Sequence, residues 1–303
     1  MSGMRGASSR PFTDTEDLTR RLEEAGYVME KSLGVGLMLM SQLSRPLLVE
    51  GDAGVGKTEI AKALATAYGC DLIRLQCYEG LDVNAAVYEW NYQRQLLAIK
   101  MQENEATSVA DKERHVFSEA YLLKRPLLLA ITSLKSPVLL IDEVDRADEE
   151  FEAYLLEVLS DYQISIPELG TIKAASIPHV VLTSNGTREL SDALRRRCLY
   201  YYLDYPSYDK ELRIVLKRMP GIERELAGQI VSFVQNLRKL ELHKRPGTAE
   251  TLDWAAALLR LKISSLDSSP DVIADTLVCL LKTREDLAAM PPTVTAQLLA
   301  QSL

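Results

Sequence analysis

Residues 51–58 read GDAGVGKT, a complete G-x-x-x-x-G-K-T, and no other run constrains the chain as much. It follows a short apolar run, Pro46 to Glu50, that reads as a buried strand. It precedes an alanine-rich helical stretch, Glu59 to Tyr68, that Gly69 stops. From average residue usage, a chance match in a chain of this length has odds of ~1 in 100, and the strand-loop-helix context lowers them. Chemistry accounts for the residue types. Glycines let successive N–H groups turn inward and cradle phosphate oxygens, at a helix N-terminus whose dipole favours anions. Lys57 reaches the β- and γ-phosphates, and Thr58 offers its hydroxyl to Mg²⁺. Gly51, Ala53, Gly54, Val55, Gly56 and Glu59 complete the candidate phosphate-binding set.

A second run, VLLIDE from Val138 to Glu143, is the partner such a loop needs. An apolar strand ending in two carboxylates brings Asp142 to the carboxyl end of a sheet, where it holds the Mg²⁺ shell. Glu143 then stands ready to polarise an attacking water.

Around these motifs the pattern alternates. Strands are expected at 46–50, 72–75, 138–141, 179–183 and 199–203, and a hairpin over 161–176 where Ile164 and Ile166 alternate with polar residues. Helices are expected from about Thr13 or Thr15 through Leu22, over 27–43, 59–68, 82–100, 117–131 (with a break at Pro126) and 149–159, the last capped by Asp148. Residues 102–115 are polar and read as an exposed insertion. After Pro206 only helical patterns remain, at 208–218, 222–240, 248–265 and 270–288, the last with Pro270 in its first turn after Ser269. The division expected is a loose tail at 1–12, an α/β domain at 13–206 and a small α-helical domain at 207–303.

Composition narrows the function. The chain has 303 residues, 35 Lys plus Arg against 43 Asp plus Glu, and a formal net charge of −8. A protein that clamps phosphate backbones carries the opposite excess, so nucleic acid is not the expected ligand. The four cysteines, Cys70, Cys77, Cys198 and Cys279, form no C-x-x-C pair and read as reduced thiols. The N-terminus carries no signal-like apolar stretch, and Leu33 to Met40 is too short to cross a membrane. A cytoplasmic location is expected. His115, His179 and His243 are far apart, which argues against a transition-metal site, and no G-x-S-x-G occurs. Tyr200-Tyr201-Tyr202 reads as a strand alternating between core and surface, and Trp90 as core.

The order GDAGVGKT, VLLIDEVDRAD, Thr183-Ser184-Asn185 after a strand, and a downstream arginine cluster resembles the AAA+ ATPases over residues 20–290. VLLIDEVDRADEEFEAYLLEVLSD followed by the hairpin is similar to the MoxR group. CYEGLDVNAAVYEW, Cys77 to Trp90, is similar to its CoxD-like branch. The resemblance implies an AAA+ P-loop domain with a parallel sheet and a helical lid, using ATP and Mg²⁺ in a ring, a hexamer in this group. It implies that Asn185 is the sensor-1 residue orienting the water. An arginine of DALRRRC, Asp192 to Cys198, would enter a neighbouring subunit's nucleotide: spacing from Ala193 favours Arg197, spacing back from Pro206 favours Arg196. The pattern departs at sensor 2, where HKRPGTAE places its basic residues before the proline; Arg245 is the candidate to reach the γ-phosphate. Tyr27 and Val28 fall where the family places the base, which this P-loop does not itself distinguish as adenine or guanine.

The same resemblance makes the 82–125 stretch and the 161–176 hairpin the inserts that contact a protein client. It implies a chaperone role with von Willebrand factor A domain partners in metalloenzyme maturation, the branch being associated with a molybdenum-containing CO dehydrogenase. Two rival readings stand beside it: a nucleotide-dependent binding scaffold with little turnover, and a DNA-acting motor.

Overall fold

The strands, in chain order, are β1 (Leu47–Glu50), β2 (Leu72–Gln76), β3 (Tyr88–Trp90), β4 (Leu122–Lys124), β5 (Val138–Asp142), β6 (Gln163–Ile166), β7 (Gly170–Lys173), β8 (His179–Ser184) and β9 (Leu199–Tyr202). Five of them form one sheet in the order β2-β5-β8-β1-β9. β2 runs parallel to β5, β5 to β8 and β8 to β1, with Leu72 opposite Val138, Val138 opposite His179 and Val181 opposite Leu47. All five residues of β5 are buried, as an apolar strand between parallel neighbours must be. This parallel register gathers the carboxyl ends of β1, β5 and β8 on one edge, at Glu50, Asp142 and Ser184. β6 and β7 make the expected hairpin, with Ile164 opposite Ile172.

The computed structural model describes residues 12, 14–102, 108–268 and 270–302. The expected tail (all but Phe12), Thr13, the middle of the polar insertion (103–107) and Ser269 lie outside the described residues. The helices are α1 (Thr15–Glu24), α2 (Lys31–Leu43), α3 (Lys57–Tyr68), α4 (Val83–Ala86), α5 (Tyr92–Met101), α6 (Val109–Val116), α7 (Pro126–Thr132), α8 (Glu149–Asp161), α9 (Asp192–Arg197), α10 (Tyr208–Arg218), α11 (Arg224–Leu237), α12 (Thr248–Arg260), α13 (Pro270–Thr276), α14 (Arg284–Ala288) and α15 (Pro292–Ala300). Asp148 caps α8 by accepting the Phe151 N–H at 2.8 Å. At α1 the side chain that caps is Asp14, which takes the N–H groups of Glu16 and Asp17.

Three expected helices are different objects. The 82–100 pattern is α4, then β3, then α5. The 117–131 pattern is a 3₁₀ turn, then β4, then α7. β3 and β4 pair antiparallel, Trp90 opposite Leu122, and an Arg125–Glu89 ion pair closes the ribbon. Their partners lie some thirty residues apart in sequence, so a local period could not reveal them. The 270–288 pattern breaks after a 3₁₀ turn at Leu277–Cys279, because Thr283 caps a new helix by accepting the Asp286 N–H. α15, which starts from the Pro291-Pro292 pair, was not anticipated.

The chain divides into two compact units, each assembled from separate stretches. Among the described residues, one comprises those within 12–18, 31–50 and 61–201; the other comprises those within 19–30, 51–60 and 202–302. The first has its core around Leu127, Leu128, Leu139, Ile141, Phe151, Leu155 and Val180. The second has its own, around Leu226, Ile230, Phe233, Trp254, Leu258 and Ile273. No helix among the described residues is long and apolar enough to cross a membrane.

Candidate functional site

In the sheet-bearing unit, the end of β5 is held by one hydroxyl. Thr183 Oγ1 donates to Asp142 Oδ1 at 2.6 Å and accepts the Glu143 N–H at 2.9 Å. Thr183 is 1% exposed and Asp142 3%, so both bonds are made away from water. The second of them pins an unusual backbone: Glu143 sits in the left-handed region, φ 55° and ψ 50°. A non-glycine residue there carries strain of about 1–3 kcal/mol, which surrounding bonds must offset. Asp142 Oδ2 meanwhile accepts from Arg74 on β2, through Nε at 3.1 Å and Nη2 at 2.5 Å. The Glu143 carboxylate is half-buried and paired with Arg146, Nε to Oε2 at 3.2 Å.

Asn185 follows β8 on a loop that Asp145 organises. Asp145 Oδ2 accepts the N–H groups of Asn185 and Thr187, at 3.2 and 3.0 Å, and the Thr187 hydroxyl at 2.6 Å. Burial works to raise the Asp145 pKa, but these bonds to its charged form outweigh it and hold the carboxyl below its ordinary range. The Asn185 side chain makes no hydrogen bond among the described residues, which leaves its amide available. Cys77, buried beside Asp142, Asp145 and Glu143, is pushed up to about 12, by burial first and the carboxylates second, so it is an inert thiol.

The three arginines of α9 in this unit have different partners. Arg195 pairs with Glu50 at 3.5 Å. Arg197 donates to the Leu156 carbonyl at 2.8 Å and to Ser160 Oγ. Arg196 is exposed, and its side chain makes no hydrogen bond or ion pair among the described residues. Arg45 fixes the backbone beneath them, donating to the carbonyls of Arg196 (2.6 Å) and Arg197 (3.1 Å).

In the other unit lies the glycine loop. Gly54 and Gly56 take φ of +79° and +99°, the left-handed conformation that turns N–H groups inward. Lys57 is 7% exposed and donates back across the loop to the carbonyls of Gly51 and Asp52, both at 2.7 Å. Thr58 and Glu59 follow in the first turn of α3. One side of the loop opens into a cavity of about 440 Å³. Gly54, Val55, Gly56 and Glu59 line it together with Tyr27 and Val28, so the expected base-side residues are brought to the loop. Ile214, Arg218 and Leu252 from the helical segment complete its walls, and Arg218 is ion-paired with Glu59.

A ligand-sized, mostly apolar cleft with a few convergent polar groups is the usual form of a nucleotide site. Thr248 Oγ1 lines the same cleft, buried and without a hydrogen-bond partner among the described residues. Such an orphaned atom fits a cleft that receives a polar ligand. A second cavity, about 470 Å³, gathers Asp52, Ala53, Tyr205, Lys244, Arg245, Glu250 and Lys282. Arg245 thus shares a cavity with the front of the glycine loop. The Tyr205 hydroxyl bonds Asp52; burial first, then Asp52, pushes it up to about 12.

Sequence reasoning missed Arg74, Arg146 and Arg218, and attached no role to Thr183 or Glu250. Thr183 carried a signal, a polar residue at a buried position of an apolar strand. The arginines carried none, since their carboxylate partners are set by register and turn geometry.

Residues 46–198 match the AAA domain family, dynein-related subfamily. An uncharacterized protein of Staphylococcus epidermidis is 29% identical over 207 residues, covering 66% of this chain and 70% of its own. The gas vesicle ATPase GvpN of Haloferax mediterranei is 26% identical over 304 residues, covering 95% of this chain and 80% of its own. Among solved structures, the Thermotoga maritima RuvB Holliday junction branch migration motor superposes with a TM-score of 0.44 at 18% identity, over 84% of this chain and 68% of that one. The family match runs from the residue before β1 to the end of the arginine cluster, half of the chain. Members of that family generally bind ATP with Mg²⁺, hydrolyse it and assemble into oligomers. The chain belongs to the AAA domain family of the dynein-related subfamily and is by descent an AAA+ ATPase.

Proposed function

We propose that this protein is a Mg²⁺-dependent ATPase that assembles into a ring, a hexamer by resemblance, and remodels a protein client in the cytoplasm. The observation that carries the reading is the Thr183 hydroxyl, which fixes Asp142 and Glu143 together at a strand end in a chain that also presents a complete glycine loop. In this reading Gly51 and Ala53 through Glu59 would bind the phosphates, and Thr58 and Asp142 would hold the Mg²⁺. Glu143 draws a proton from the attacking water, Asn185 orients that water, and Arg245 meets the γ-phosphate. Bound Mg²⁺ would supply Lewis-acid stabilisation of the phosphoryl oxygens. Arg197 or Arg196 acts on a neighbouring subunit's nucleotide. Arg197 must first leave Leu156 and Ser160, whereas Arg196 is already unengaged.

The finer placement is the MoxR group and its CoxD-like branch, with a metalloenzyme client such as a molybdenum-containing CO dehydrogenase and a von Willebrand factor A domain partner. Support comes from the sequence resemblance and from the presence of both inserts, the α4-to-β4 stretch and the β6-β7 hairpin. One observation favours a second reading, a nucleotide-dependent scaffold with little turnover. The ion pair between Arg146 and Glu143 engages the carboxylate that must accept a proton. A DNA-acting motor has only the net charge of −8 to weigh, and that weighs against it.

The test is Glu143→Gln. It should retain ATP binding and lose at least tenfold in steady-state hydrolysis. Used with ATP as bait in a pull-down, it should enrich a protein client. Unchanged hydrolysis would refute the catalytic assignment, and DNA-stimulated, salt-sensitive hydrolysis by the wild type would favour the motor.

A further inference from the structure

The N-terminus of α12 is seated on the glycine loop by two glycines. The Ala249 N–H donates to the Gly54 carbonyl at 3.2 Å. A Cβ on Gly247 would lie 2.6 Å from the Gly54 carbonyl carbon and 2.7 Å from its Cα and oxygen. Gly247 has an ordinary φ of −83°, so lack of space, not backbone conformation, excludes a side chain there. From the other side, a Cβ on Gly54 would come 2.7 Å from Glu250 Oε2. The Glu250 carboxylate therefore lies directly against the loop. That oxygen also accepts the Gly247 N–H at 2.9 Å, which ties the carboxylate to the helix start.

The seat is rigid. Arg238, 7% exposed, donates to the Pro246 carbonyl at 2.7 Å and forms a two-pronged pair with Glu211. Thr251 hydrogen-bonds both Glu211 and the Gly247 carbonyl. The loop that delivers Gly247 and Glu250 cannot drift from the glycine loop without breaking these buried bonds.

The charges around the seat oppose one another. The positive end of the 13-residue helix α12 faces the glycine loop, and Lys244, Arg245 and Lys282 line the cavity at its front; all of these favour an anion. Glu250 is placed among them and offsets them. We propose that Glu250 sets the nucleotide preference of this loop, its fixed carboxylate weakening the triphosphate more than the diphosphate because the triphosphate brings more negative charge. This rests on the reading of residues 51–58 as a phosphate site.

Glu250→Gln separates charge from structure, because the amide oxygen still accepts the Gly247 N–H. The experiment measures dissociation constants of fluorescent ATP and ADP analogues with Mg²⁺ on the full chain, wild type and variant, at low and high salt. The variant should bind the ATP analogue roughly 3–10-fold tighter and the ADP analogue less than threefold tighter, with the difference shrinking at high salt. An ATP-to-ADP affinity ratio unchanged from wild type, with both analogues bound by both proteins, would overturn the role of Glu250. Wild type binding neither analogue would instead remove the phosphate site and this proposal with it. Matching unfolding midpoints of wild type and variant establish that the cap is intact; Glu250→Ala, which loses the cap as well, should melt lower.

Discussion

The buried Glu211–Arg238 pair offers the sharpest test of how the helical segment is held. Glu211 is fully buried and Arg238 nearly so, and two bonds of 2.7 Å join them in a fork. Glu211 takes two further donors at 2.7 Å each, Gln235 Nε2 and Thr251 Oγ1. Glu211→Gln keeps the volume but removes the charge and turns one acceptor into a donor facing donors. It leaves the buried Arg238 guanidinium, which lies 4.9 Å over the Tyr205 ring, without its counter-charge. Breaking one side of such a pair costs about 3–5 kcal/mol. At about 2–8 °C per kcal/mol for domains of roughly 60–250 residues, the midpoint should fall by at least about 6 °C. Trp254 lies in the same core and reports the transition by fluorescence. The double variant Glu211→Leu with Arg238→Met removes both charges and should be more stable than Glu211→Gln alone. The reasoning fails if Glu211→Gln melts within about 2 °C of wild type, or if the double variant loses the sum of the two single losses.

Three further outcomes follow from the same geometry. Thr183→Val should lower the maximal hydrolysis rate at least tenfold and raise the Mg²⁺ concentration needed for half-activation, while Thr183→Ser restores both; a Val variant with unaltered Mg²⁺ dependence would mean Thr183 is only packing. Arg196→Ala and Arg197→Ala should each leave nucleotide binding intact, and the one that abolishes oligomer-dependent hydrolysis is the residue acting in trans; if neither does, the cluster has another role. His179, partly buried and stacked on Tyr68 at 4.2 Å, is pushed down to about 4 by burial. Its folded pKa is below its unfolded value near 6.5, so its contribution is complete above pH 6.5 and is lost as pH falls toward 4. Relative to His179→Phe, wild type should lose about 2–3 kcal/mol across that window by denaturant unfolding, and parallel pH profiles would contradict this.

Much of the candidate site was legible because its chemistry needs contiguous residues. A phosphate cradle is built from successive N–H groups, so Gly51 to Thr58 announce it in one line, and Asp142-Glu143 follow an unbroken apolar strand. The fully buried β5 and the β6-β7 hairpin were readable for the same local reason. β3 and β4 were not: Val83, Val87 and Trp90 repeat at a helical interval, yet Trp90 pairs with Leu122 across a ribbon. The continuous helix expected at 270–288 likewise ignored a capping threonine in the middle of its span.

By itself the sequence determined the family, the alternation of strands and helices, and which residues are candidates to meet a phosphate, a metal ion or a water. Tertiary structure alone decided what those residues are bonded to: Thr183 beneath Asp142 and Glu143, Arg74 and Arg146 on the two carboxylates, Arg197 tied down and Arg196 unengaged. It also decided that the glycine loop groups with the C-terminal helices, through the meeting of Gly54 with Gly247. The physical reason is range. Backbone chemistry repeats over a few residues and is written in neighbours, whereas a hydroxyl forty residues away, or a glycine nearly two hundred away, becomes a partner only when a sheet register or a helix seat brings it within 3 Å.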